Sequence, residues 1–350
     1  MKRWMTTLQI AFTYIGTIVG AGFATGQEIL QFFSKYGSVA IVTIFISTCL
    51  FIWFGTKLML LANSIGARSY EDVNRYVFGA KLGRWFSLFL LFEMLAIATV
   101  MLAGAGTVFA EQLQLPFLLG IIISLLLGYF VMTRGIQGIV SVNSIVVPCM
   151  MIFSIIVIVQ LISSPSFSAI TWLQQRDPYA PGRAWIAPFL YAAFNLASAQ
   201  AVLVPLGSSV QDRVAIQRGG ILGGIGLGML LIAGHLLLSS QHVDVVQYEI
   251  PMAAVVGTMG IVIYISYLLL IYAEIFSTFV ADLFGLSLHF EQRTRLPRQV
   301  IVISLLLFCF CFSFIGFKAL LSVLYPLFGI LSLLWFGMLI LHQTQRHPQP

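Results

Sequence analysis

Along this chain the apolar positions follow neither the two-residue alternation of a half-buried strand nor the three-and-four spacing of a surface helix. They form a succession of nearly continuous hydrophobic segments, each about long enough to cross a hydrocarbon layer as a helix. The segments predict spans at about 7–33, 37–63, 83–112, 116–133, 138–163, 184–209, 218–239, 253–284, 298–315 and 318–341. Between the second and third, the polar stretch from Ala67 to Lys81 predicts a short interfacial helix. Pro165, Pro178 and Pro181 punctuate an external loop at 164–183, and the other loops are too short for a soluble domain. A membrane β-barrel would show alternating segments of about 10 residues, and none is visible.

Composition agrees with that pattern. Of 350 residues, 59% are hydrophobic and only 9% charged, with mean hydropathy +0.99. The expected class is an all-α integral membrane protein whose medium is the lipid bilayer. A net charge of +6 would suggest nucleic acid in a soluble chain; here it reads as topology, and no nucleic-acid partner is expected. With ten spans and the N-terminus inside, 14 of the 18 basic residues fall on the cytoplasmic side, and Lys35, Arg176, Arg183 and Lys318 outside. This places both termini, including a tail at 342–350, in the cytoplasm. The opening MKRW resembles a signal peptide's start but lacks a convincing cleavage site, so the first run is read as a span. Cys49, Cys149, Cys309 and Cys311 lie in apolar segments and read as packing residues.

Two spans carry irregularities. In the first, GTIVGAGFATGQE from Gly16 to Glu28 places Gly20, Gly22 and Gly26 in the centre and follows them with Gln27 and Glu28. Backbone that unwinds at membrane depth must line protein or a cavity, so this stretch predicts a broken helix at a binding site. In the sixth, Ala197-Ser198-Ala199-Gln200 nearly copies Ala24-Thr25-Gly26-Gln27 at an offset of 173 residues, or five spans. Asn195, Pro188 and Pro205 flank the copy, predicting a second discontinuous helix. An odd number of spans per repeat inverts one half against the other, giving repeats at 1–163 and 184–341.

The carboxylates Glu28, Glu93 and Glu274 stand well inside predicted spans, where an uncompensated charge costs about 3 kcal/mol on insertion scales. Each is therefore expected to face protein, either paired with buried polar groups or acting as a cation ligand; Glu93 and Glu274 are candidate proton carriers. Glu274, Ser277 and Thr278 share one helical face, and their oxygens suit a small cation, although such hydroxyls also bond their own carbonyls. The glycine run RGGILGGIGLG opening the seventh span reads as close helix packing, and His235 as an inward hydrogen-bonded group. No HExxH, GxSxG or phosphate-binding loop occurs, so an enzyme and a resident cofactor are not expected.

At this point the residues resemble a known group. Gly16-Thr17-Ile18-Val19-Gly20-Ala21-Gly22 resembles the GxxVGxG pattern of the first helix in LeuT-fold sodium-coupled transporters. The first span and the ten-span, five-plus-five plan resemble the YkvI family of bacterial membrane proteins, near the amino acid–polyamine–organocation transporters. The resemblance implies a sodium site from the backbone carbonyls of Gly16 and Val19, the carbonyl of Glu274, and the hydroxyls of Ser277 and Thr278. It implies a solute site along Ala21, Gly22, Phe23, Ala24, Thr25 and Gly26, with Phe194, Asn195, Leu196, Ala197 and Ser198 opposite; Gln27 and Glu28 extend that candidate set. An acid at 274, where only a carbonyl is implied, leaves sodium coupling, proton coupling and no coupling open. The expected function is ion-coupled symport of a small solute, an amino acid or amine, by alternating access. The alternatives are a permease-like sensor that binds solute without moving it, and an uncoupled channel.

Overall fold

The computed structural model describes residues 2–133, 146, 148–156, 159, 163, 181–239 and 245–341. Most of the predicted fifth span and of the loop at 164–183, and all of the tail at 342–350, lie outside the described residues. Within the described residues every regular element is helical. Six helices are long and apolar enough to cross a membrane, and Phe117–Thr133 and Arg298–Ser313 are shorter apolar helices.

The first predicted span is three pieces, α1 (Lys2–Ile18), α2 (Ala21–Ala24) and α3 (Gln27–Phe32). Gly20 is extended, at φ −117° and ψ −171°, and Gly26 is left-handed at φ +83°. A side chain at Gly26 would be strained in that conformation, so the second interruption depends on glycine. The second span comprises α4 (Val39–Leu50) and α5 (Thr56–Ile65), joined by a π-helical turn over Phe51–Gly55. Tyr14 of α1 fills this bulge, donating its hydroxyl to the Phe51 carbonyl at 2.8 Å.

The polar stretch after α5 forms a short helix of its own at the start of α6 (Tyr70–Thr107), divided from the long remainder by the non-helical Gly79 at φ +77° and ψ 174°. Asp72 starts that helix by accepting from the backbone N–H groups of Ser69 at 3.1 Å and Arg68 at 2.9 Å. α7 (Phe117–Thr133) follows, and the second half begins with α8 (Pro181–Ser209) and α9 (Arg213–Ser239).

α8 corrects one expectation. Despite Pro188 and Pro205 it runs unbroken from Pro181 to Ser209. In the register of the internal repeat, Ala193, Asn195 and Ala199 stand where the first span has Gly20, Gly22 and Gly26. Without glycine the left-handed turn is unfavourable, and the polar side chains serve the helix itself. Asn195 Nδ2 donates to the Tyr191 carbonyl at 3.0 Å, Ser198 Oγ to Phe194 at 3.1 Å, and Gln200 Nε2 to Ala197 at 3.1 Å. Hence Phe194 to Ser198 offers side chains, not unwound backbone, to the centre.

The glycine run of α9 packs as its spacing implies. A methyl group on Gly219 would meet Ile10 Cβ at 2.6 Å, one on Gly223 would meet Tyr14 Cδ1 at 2.6 Å, and one on Gly224 would meet the Ile52 nitrogen at 2.8 Å. α1 and the α4–α5 unit therefore lie on adjacent faces of α9, at distances that admit no β-carbon.

The predicted span at 253–284 is also divided. α10 (Pro251–Val256) and a short turn end at Gly260, φ +109°, before α11 (Ile261–Arg293) begins. α12 (Arg298–Ser313) and α13 (Phe317–Leu341) complete the chain's described helices.

Candidate functional site

The broken helix places Glu28 in the first turn of α3, just beyond the left-handed Gly26. Its side chain folds back across α2: a methyl group on Gly22 would land on Glu28 Oε1, 2.8 Å from Cγ and 2.9 Å from Cδ. The carboxylate thus occupies the space that the missing side chain leaves, only 3% exposed. The Tyr191 hydroxyl of α8 lies against it, and Tyr325 of α13 stands within its field. Neither Glu28 Oε2 nor the Tyr191 hydroxyl completes a hydrogen bond among the described residues.

Aromatic rings enclose this carboxylate. Tyr191 packs with Phe32, Phe33 and Phe51 at centroid distances of 5.3, 5.1 and 5.9 Å. Tyr325 packs with Phe194 at 4.5 Å. Phe194 therefore contributes a wall, while Leu196 and Ala197 are fully buried in α8.

Beyond Tyr325 lie two further acids. Glu93 of α6 accepts the Ser198 hydroxyl on Oε1 at 2.5 Å and leaves Oε2 without a partner. Asp282 of α11 stands near Glu93 and Tyr325, with Oδ2 sealed and unpaired. The Cys309 thiol of α12 lies beside Thr99 and Asp282; all four cysteines are free. Asp282, Tyr191 and Tyr325 escaped the sequence reading. For Asp282 a signal existed, since Glu274, Thr278 and Asp282 follow one another at four-residue spacing on one stripe of α11.

The candidate ion ligands are partly gathered. A methyl group on Gly20 would lie 3.8 Å from Thr278 Oγ1, so that hydroxyl faces the interruption one residue past Val19. Ser277 Oγ donates to the Glu274 carbonyl at 3.0 Å, the local bond expected of such a residue. Glu274 Oε1 has no partner among the described residues. Among those residues no three His, Cys, Asp or Glu side chains form a group that could hold a metal ion.

Each arm of the broken helix has contacts of its own. Near the start of α1, Arg3 Nε meets Asp212 Oδ2 at 2.5 Å. At the start of α3, Gln27 Nε2 donates to the carbonyls of Tyr248 at 2.8 Å and Glu249 at 3.0 Å. The Met252 N–H donates to Thr25 O at 3.0 Å, and the Tyr267 hydroxyl to Ala24 O. Glu111 holds the same segment by accepting the N–H groups of Glu249 and Ile250 at 3.2 and 3.1 Å. A small apolar cavity of about 30 Å³ adjoins α2 between Phe23, Leu230, Met252 and Tyr267. No acid lines it, so the charged chemistry belongs to the Glu28 side.

His235 is held inward, as expected, with Nδ1 at 3.0 Å from Ser34 Oγ.

No family model matches the chain. The Bacillus subtilis membrane protein YkvI is 40% identical over 342 residues, covering 97% of this chain and 96% of that protein. YyaD from the same organism is 27% identical over 340 residues, covering 97% of each. Among solved structures, a mutant of the Eremococcus coleocola manganese transporter superposes with TM-score 0.64 at 14% identity, covering 95% of this chain and 78% of that one. MhsT in complex with L-phenylalanine gives TM-score 0.66 at 17% identity, covering 94% and 88%. The fold is thus shared with LeuT-fold transporters.

Proposed function

The chain belongs to the YkvI family of bacterial membrane proteins, and we propose that it is a secondary transporter of a small amine-bearing solute, working by alternating access. The observation that carries this reading is the carboxylate of Glu28, folded unpaired into an interrupted membrane helix. A helix that only anchors needs neither irregular backbone nor a buried acid at that depth. Contacts on the two arms of the same helix, Arg3 of α1 with Asp212 and Gln27 of α3 with Tyr248, support two closures that open in turn.

The solute on this reading meets Ala21 to Glu28 on one side and Phe194, Asn195 and Ser198 on the other. The coupling ion is sodium or a proton. Sodium would use the carbonyls of Gly16, Val19 and Glu274 with the Ser277 and Thr278 hydroxyls, and the Thr278 hydroxyl facing Gly20 supports that assignment. A proton would use Glu93 or Glu274, each with an unpaired buried oxygen. The arrangement we favour is ten spans in two inverted halves, 1–163 and 184–341, in the cytoplasmic membrane with both termini inside.

Uptake into proteoliposomes under separate sodium and proton gradients tests this reading. Gradient-driven accumulation of an amine or amino acid is expected. Under sodium coupling, the paired Ser277→Ala and Thr278→Ala substitutions abolish the sodium dependence. Saturable solute binding with no accumulation under either gradient refutes transport and makes the protein a sensor.

A further inference from the structure

Glu28, Glu93 and Asp282 converge on Tyr325 from α3, α6 and α11. Among the described residues none of the three has a basic partner. Three acids without a basic partner at membrane depth stay protonated until a cation arrives to pair with them. Two observations point to its kind. The acids do not form a group able to ligate one metal ion, so they are distributed along a path and do not surround a point. The Glu28 carboxylate also sits among aromatic rings, Tyr191 at its side and Tyr325 tilted against Phe194 at 4.5 Å. Carboxylate together with ring faces is the combination that recognises an ammonium, which donates hydrogen bonds to the one and is attracted by the quadrupoles of the others.

The same arrangement opposes a carboxylate on the solute. Glu28 covers Gly22, so the middle of α2, where an anion would approach backbone N–H groups, is already occupied by an acid side chain. A zwitterion seated there would set its carboxylate against Glu28, with Glu93 and Asp282 behind it. We propose that the solute is an organic cation with an ammonium and no carboxylate, its N–H donors received by Glu28 between Tyr191 and Tyr325. This rests on reading the interrupted helix as the solute site, and it narrows the solute from amino acids and amines to amines.

Calorimetric titration of the full-length protein in nanodiscs at neutral pH tests the inference with five probes: n-butylammonium, 1,4-diaminobutane, norvaline, butyrate and manganese chloride. Saturable binding of at least one amine is expected, tighter than norvaline, with no binding of butyrate. Glu28→Gln weakens amine binding by about tenfold or more, the loss of one charge-assisted contact, and Glu28→Asp retains more of it. Norvaline or butyrate binding as tightly as the amines overturns the inference, and so does the absence of binding by either amine. Glu28-dependent binding of manganese in preference to the amines overturns it in favour of a bare cation. Should Glu28→Gln fail to fold, the wild-type ranking of probes still decides. Amine binding without uptake into proteoliposomes sinks the transport reading and leaves this inference standing.

Discussion

Replacing Gly22 by alanine perturbs the candidate site without touching a charge. The added methyl group would land on Glu28 Oε1, 2.8 Å from Cγ and 2.9 Å from Cδ, against an optimal separation of about 3.5–4.0 Å between carbons. Both carbons belong to a side chain that can rotate, so the backbone need not shift. Yet Glu28 is 3% exposed, with Tyr191 and Tyr325 around it, and a rotated carboxylate has only packed rings to move into. Overpacking of this kind costs about 1–3 kcal/mol. If half of that, about 0.5–1.5 kcal/mol, appears as lost placement of the carboxylate, solute affinity falls about two- to tenfold. Thermal unfolding in detergent measures the stability cost, and calorimetry with the bound solute measures the affinity cost. The double variant Gly22→Ala with Glu28→Ala removes the clash, so it should be less destabilised than the sum of the singles by about 1 kcal/mol or more. Strict additivity, or a Gly22→Ala protein with wild-type stability and binding, refutes the placement of Glu28 over Gly22.

Two further predictions concern packing and closure. Gly224→Ala sets a methyl group 2.8 Å from the Ile52 nitrogen and 2.9 Å from its Cα; backbone cannot yield as a side chain does, so a cost of about 1–3 kcal/mol is expected in thermal unfolding. Gly337→Ala on α13 meets nothing within 4 Å and should cost no stability; equal behaviour of the two variants would show that α9 is not the tight face. At the loop between α8 and α9, the Arg3 guanidinium beside Asp212 holds its carboxyl below the usual carboxylate range. A lowered folded-state pKa means the contact is present above that range and lost only as pH falls through the depressed value. Maleimide labelling of a Thr7→Cys probe should therefore rise in Asp212→Asn at neutral pH, and in the unsubstituted pair only at acid pH. Labelling indifferent to Asp212→Asn would show that the pair does not hold this end shut.

The sequence displays most of the helices because the bilayer demands long apolar runs, and a run of that length leaves few alternatives. It displays the first interruption because glycine has one backbone use that other residues lack, and Gly26 at φ +83° makes that use. What it hid was tertiary. Tyr191 and Tyr325 look like any aromatic residues of a membrane helix, and only the crossing of α8 and α13 turns them toward Glu28. Asp282 lay near the end of an apolar run, where a charge suggests an interface; the four-residue stripe from Glu274 through Thr278 was the clue available. The prolines of α8 misled for a related reason. Proline removes one donor and bends a helix, but interruption also needs residues able to leave helical geometry, and Ala193, Asn195 and Ala199 are not suited to that.

The two matching segments of the predicted repeat are therefore similar in letters and unequal in backbone. Thr25 and Ser198 correspond, as do Gln27 and Gln200, yet Gln27 reaches across to the Tyr248 and Glu249 carbonyls while Gln200 returns to Ala197 within its own helix. Glu28 corresponds to Ala201, so only the first half carries the acid at this position. An alternating mechanism built on this pair does not hinge both halves alike. α8 is the rigid wall, offering Tyr191, Phe194 and Ser198 from an unbroken helix. On the proposed alternating access, the movable parts would be the two arms of the broken helix, pivoting near Gly20 and Gly26. Each arm carries one of the closures: α1 the Arg3 contact with Asp212, α3 the Gln27 contact with Tyr248. Solute held by Glu28 would sit on the second arm, so its release is tied to the pivot at Gly26, the position where the two repeats differ most in backbone freedom.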